Sequence, residues 1–130
     1  MLHPAQFEVN EAWIAFRLNR EPISTEQDGD FNCIVLMDAA SCFILCSELI
    51  PARAEGPTQL EARRLMKLAE QHKDQLPKSL YISSKEGADE LAREFESKNI
   101  EVISISENQL LTYTREARDG FELYLEDTPH

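Results

Sequence analysis

The residues of this sequence that could do chemistry are three cysteines, three histidines, a few hydroxyls and a scatter of carboxylates. Their spacing rules out most of it. A serine or cysteine nucleophile needs a base beside it, yet there is no GxSxG elbow, and His3, His72 and His130 stand in unrelated stretches. A thiolate–imidazole metal site needs closely spaced ligands, and the chain has no CxxC. Cys33 and Cys46 flank the insert Asp38-Ala39-Ala40-Ser41. With a turn centred on Ala39-Ala40, Met37 faces Cys42, Val35 faces Ile44 and Cys33 faces Cys46, so a cross-strand disulfide is geometrically conceivable. In a reducing compartment two thiols packed as small hydrophobes are the better expectation.

Two clusters remain as binding candidates. Ser83-Ser84-Lys85-Glu86-Gly87 stands where a short apolar run hands over to a helical pattern. Hydroxyls and exposed N–H groups of Ser83, Ser84 and Lys85 could hold a phosphate or carboxylate there, although Glu86 would serve as a cap and repel anions. Glu21, Glu86 and Glu107 could converge at the carboxyl edge of a sheet and bind a cation weakly, with solvated loop and cap positions as the simpler reading. Tyr113, Phe121 and Tyr124 could present an apolar patch to a partner or pack back on the sheet. No cofactor is expected from any of these residues.

The elements that must position these groups follow from periodicity. Trp13 to Leu18 puts Ile14, Phe16 and Leu18 on one side at period two, which predicts a first strand. Arg20 to Asp30 is polar and reads as a loop. Phe31 to Met37 and Cys42 to Ile50 predict a hairpin apolar on both faces, with the Asp38 carboxylate accepting from backbone N–H groups in its turn. After Pro51 to Pro57 the period changes to 3.6. Thr58-Gln-Leu-Glu61 is a capping box, and Ala62, Leu65, Met66 and Ala69 form the stripe of a helix ending near His72. Leu80 to Ile82 is a strand. Ser83-Ser-Lys-Glu86 reads as a second capping box before a stripe of Ala88, Leu91, Ala92 and Phe95, which exits at Lys98-Asn99. Ile100 to Ile105 is a strand, and Ser106-Glu-Asn-Gln109 opens a helix that Gly120 is expected to interrupt or end. Asp127 to His130 reads as a frayed end.

The result is an α/β domain over residues 1–130: three N-terminal strands including a hairpin, then alternating α-β-α-β-α, in a mixed five-stranded sheet. Its 24 acidic and 13 basic residues give a net charge of −11, which opposes direct contact with nucleic acid or an anionic membrane. No apolar stretch is long enough to span a bilayer and no signal peptide is visible, so a cytoplasmic location is expected. The small compact build fits a bacterial protein.

That order of elements resembles the ribonuclease H-like fold, in particular integrase and transposase cores. Cys33-Ile-Val-Leu-Met-Asp-Ala-Ala-Ser-Cys-Phe-Ile-Leu-Cys-Ser-Glu-Leu-Ile-Pro51 is similar to their second and third strands, Lys78-Ser-Leu-Tyr-Ile-Ser83 to the fourth, and Asn99-Ile-Glu-Val102 to the start of the fifth. The resemblance implies two metal ions clamped by carboxylates on adjacent strands. Where it places those carboxylates, this chain has Ala15-Phe16-Arg17 and Ser83, none able to supply the charge that holds Mg²⁺. Asp38 would lie at the opposite end of the sheet.

The expectation is therefore a ribonuclease H-like module without enzymatic activity, binding a protein partner or itself through the hairpin's edge strand or the aromatic C-terminal segment. Two alternatives stand beside it. One is a divergent metal-dependent nuclease or phosphotransfer enzyme using Glu21, Glu86 and Glu107. The other is an acidic nucleic-acid mimic for a basic partner, with Asp89, Glu90, Glu94, Glu96, Glu101 and Glu107 as its face.

Overall fold

A computed structural model describes residues 1–127. The sheet has six strands: β1 (Ala12–Arg17), β2 (Ile23–Thr25), β3 (Gly29–Asp38), β4 (Ile44–Pro51), β5 (Ser79–Ser83) and β6 (Glu101–Ile105). Three helices follow or separate them: α1 (Gln59–Lys73), α2 (Asp89–Glu96) and α3 (Leu111–Asp127). β3 pairs antiparallel with β1 on one side and β4 on the other, while β5 and β6 add on in parallel beyond β1. The mixed α/β architecture expected from the period switch is the one observed.

The sixth strand lies inside the stretch read as loop. β1 occupies Ile34–Asp38 of β3, and β2 occupies Gly29–Phe31 further along the same strand. Between them the chain bulges, and Asn19 repairs the ladder: its Oδ1 accepts from Cys33 N at 2.7 Å while Leu18 N donates to Cys33 O at 2.8 Å. The polar composition of Arg20–Asp30 hid a strand of three residues, closed by Gly29 at φ 82°.

The hairpin register also differs from expectation. Asp38 N donates to Phe43 O at 2.9 Å and Cys42 sits at φ 62°, so the turn spans Ala39–Phe43 rather than centring on Ala39-Ala40. Met37 then faces Ile44, Leu36 faces Cys46 and Cys33 faces Leu49, with a bulge between Leu36 and Met37. Cys46 turns toward α1, where its thiol donates to Leu65 O at 3.2 Å, while Cys33 packs in the core on the other face. The Cys33–Cys46 pairing is thereby excluded, and all three cysteines are free.

α1 begins as its sequence dictates: Thr58 Oγ1 accepts from Glu61 N at 3.2 Å and Glu61 Oε1 accepts from Thr58 N at 2.9 Å. The other two capping signatures fail. Ser83 Oγ accepts from Lys85 N at 3.2 Å, and α2 starts only at Asp89 with no side-chain cap. Ser106 makes no cap bond either; one 3₁₀ turn, Glu107–Leu110, leads straight into α3. Gly120 does not stop that helix. A Cβ there would meet nothing within 4 Å, so the site costs only backbone propensity while Tyr113, Ala117 and Phe121 hold the helix to the sheet.

Two cores result. Trp13, Leu36, Leu65, Leu80, Leu91 and Phe95 fill the space between the sheet and α1 and α2. Ile14, Phe16, Val35, Met37, Leu110 and Tyr113 fill the space under α3. Alternation along β1 serves both, which is why neither of its faces is polar.

Candidate functional site at the carboxyl edge

β1 and β5 run parallel with Ala15 opposite Ile82, so their carboxyl ends finish together at Arg17 and Ser83. In open α/β sheets ligands sit in the crevice beyond such ends. Here a crevice of about 200 Å³ is floored by Ala15, Arg17, Asn32, Ile34 and Ile50 and walled by the loops at Ala52–Pro57 and Lys85–Ala88. Gly56 and Gly87 let these loops meet backbone to backbone: a methyl group on either would collide with a carbonyl oxygen, of Gly87 and of Glu55 respectively.

The charge in the crevice belongs first to Arg17. Its Nη2 makes one long contact, 3.4 Å to Arg20 O, and its buried Nε has no partner among the described residues. No described carboxylate pairs with it. Lys85, Glu55 and Glu86 stand at the walls. Of the expected ligand residues, Ser83 is only 2% exposed and spends its hydroxyl on the local turn, Ser84 donates its N–H to Ile105 O at 2.8 Å, and Lys85 alone reaches the crevice.

Glu21, Glu86 and Glu107 are not brought together. Glu107 pairs with Arg118 at 2.8 Å, Glu86 lines the crevice, and Glu21 borders a shallow surface beside Phe121 and Glu122. Among the described residues no group of three or more His, Cys, Asp and Glu side chains could hold a metal ion. Asp38 is wholly buried beside Trp13, at the amino end of β1. Its Oδ1 accepts from Asn10 N at 2.7 Å and its Oδ2 from Ser41 N at 2.9 Å and Ser41 Oγ at 2.7 Å, the turn role expected of it.

The expected aromatic patch is divided. Tyr113 is 2% exposed and belongs to the core under α3, so it cannot meet a partner; burial pushes its phenol well above the usual range. Phe121 is partly buried against that core and stacks on the exposed Tyr124 with ring centres 6.5 Å apart. The acidic face is likewise broken up: Glu94 binds Arg63, Glu90 binds Arg93 and Glu107 binds Arg118.

Arg17 and Asn32 are the crevice residues that sequence reasoning passed over. The available signal was one charge closing an otherwise apolar alternating strand.

No family model and no curated protein matches the chain. Among solved structures, the catalytic domain of Mos1 mariner transposase is similar over 93% of this chain and 63% of that one, with a TM-score of 0.62 at 13% identity. The fold is ribonuclease H-like. At that identity the likeness extends to the fold alone, and the chain spans less than two thirds of the transposase domain. No helix among the described residues is long and apolar enough to cross a membrane.

Proposed function

We propose that this chain is a ribonuclease H-like binding module, without metal-dependent chemistry, that takes an extended segment of a partner protein along the open side of β4. The observation that carries this reading is the surface around that strand. Among the described residues β4 pairs only with β3, leaving its other row of backbone groups available for strand addition. Leu60, Arg64, Leu68 and His72 recur at four-residue steps along one side of α1. Arg64 reaches Glu48 of β4, and His72 stacks on Phe43 at 5.1 Å, so this side of the helix runs beside the strand. Phe43, Leu49, Leu60 and Leu68 are 42–65% exposed, which brackets the edge with apolar surface.

Charge selects the partner. Arg63 and Arg64 are held by Glu94 and Glu48, which leaves Lys67 and Lys73 as the lysines of α1 without an ion pair among the described residues, against the net −11 of the chain. An acidic, apolar segment fits; a second copy would bring another −11 with it. Ala15, Arg17 and Ser83, where the fold's metal-binding carboxylates are expected, support the non-catalytic half of the reading.

The test is partner capture with the full chain and with Leu49→Lys, a charge placed on the edge strand. A partner bound at least tenfold more weakly by the variant, at unchanged melting temperature, is the expected result. Identical partners bound equally by both proteins would overturn it.

The likeness to a transposase catalytic domain favours a second reading, metal-dependent phosphoryl transfer at the crevice with Glu86 as its carboxylate and without Glu21 and Glu107, which the fold places elsewhere. A melting temperature raised by millimolar Mg²⁺ or Mn²⁺, with the rise lost in Glu86→Ala, would put it in place of the first.

A further inference from the structure

The carboxyl-edge crevice is separate from the exposed β4 surface and carries its own chemistry. We propose that it binds a small apolar monocarboxylate, with the Arg17 guanidinium as its anchor. A guanidinium offers five N–H donors in a planar fork that matches a carboxylate. Arg17 uses one of them, weakly, and holds Nε buried with no acceptor among the described residues. Leaving a buried donor unmade costs free energy that an incoming acceptor returns. In a chain with 24 acidic residues, none of the described ones pairs with this cation.

Asn32 supplies the second donor. Arg17 faces Ile34 across the β1–β3 ladder, and Asn32, two residues along, shares that face. Its Oδ1 accepts from Asn19 Nδ2 at 2.9 Å, which fixes the amide and leaves its own NH₂ without an acceptor among the described residues. The body of the ligand follows from the walls. Ile34 and Ala88 offer hydrocarbon, with Ile50 and Leu91 sealed beneath them, and the crevice volume of about 200 Å³ exceeds the roughly 150 Å³ that admits benzene in an apolar cavity. Two cations, Arg17 and Lys85, meet two carboxylates, Glu55 and Glu86, so the crevice has no surplus positive charge for a phosphate dianion and a monoanion is preferred.

Sodium benzoate is the probe, titrated into the full chain at constant ionic strength and followed by amide chemical shifts, with sodium phosphate in parallel. Benzoate is expected to saturate, with shifts centred on Arg17, Asn32 and Ala88, and phosphate to leave them unmoved. Arg17→Gln should weaken benzoate at least tenfold. Ala52→Leu, which keeps the cation but fills the crevice from its loop, should do the same and covers the case in which the Arg17 variant fails to fold. Benzoate binding no stronger than phosphate, or unchanged in either folded variant, would overturn the assignment.

Discussion

Gly56 and Gly87, on loops far apart in sequence, touch through their backbones, and neither position has room for a side chain. The contact joins the segment after β4 to the segment after β5 and closes one side of the crevice. Gly56→Ala or Gly87→Ala must therefore push backbone against backbone, at a cost of about 1–3 kcal/mol. Gly29→Ala, where φ is 82° but the space is open, should lose only the strain of the left-handed conformation, about 1 kcal/mol. Urea denaturation of the three variants checks the ranking.

Gly120→Ala should act in the opposite direction. The residue lies inside α3 with open space around its missing Cβ, so alanine adds helix propensity and removes unfolded-chain entropy. A gain of about 0.5–1 kcal/mol is expected, seen as a raised urea midpoint with unchanged slope.

Asp38→Ala should be among the most damaging single changes. It strips the buried amide of Asn10 and both donors of Ser41 of their acceptor at once. A loss of about 3 kcal/mol follows from unmade buried hydrogen bonds of this kind. Ser41→Ala removes only one of the three and should cost about 1 kcal/mol in the same assay.

The thiols should separate by reactivity and by pH. Cys42 is exposed and should react with a thiol reagent in the native state, with Cys33 and Cys46 modified only on unfolding. Burial pushes the Cys46 thiol up to about 12 and raises that of Cys33 as well. Unfolded thiols titrate near ~8.5. The contribution is therefore complete below that pH and declines as the pH rises toward 12, because the unfolded chain loses its proton first. Urea midpoints at pH 8 and pH 10.5 should show the fall, with a shallower one in Cys46→Ala.

Much of the fold was legible because the period-two and period-3.6 signals are strong where both faces of an element are buried. β1 and the stripes of α1 and α2 were read from Ile14 and Phe16, Leu65 and Met66, and Leu91 and Phe95. What failed was local. Ser83 and Ser106 carry capping signatures but make no cap, because the chain takes another turn first. β2 escaped because three residues are too few to show a period, and the hairpin register slipped because the turn runs through Cys42 in a left-handed conformation. Of the crevice, only the wall from Lys85 to Gly87 was legible, as part of the segment after β5. Arg17, Asn32 and Gly56 come from three separate segments, and only the antiparallel register and the loop contact place them together.

The division of the interior has a consequence for the order in which a nascent chain can close. The layer between the sheet and α1 and α2 draws on residues from Trp13 to Val102, and all of it is present once β6 has been made. The opposite layer needs Leu110 from the 3₁₀ turn and Tyr113, Ala117 and Phe121 from α3. A chain still tethered to the ribosome near that point holds a half-covered sheet, with Ile14, Phe16 and Val35 open to water and to any passing chaperone.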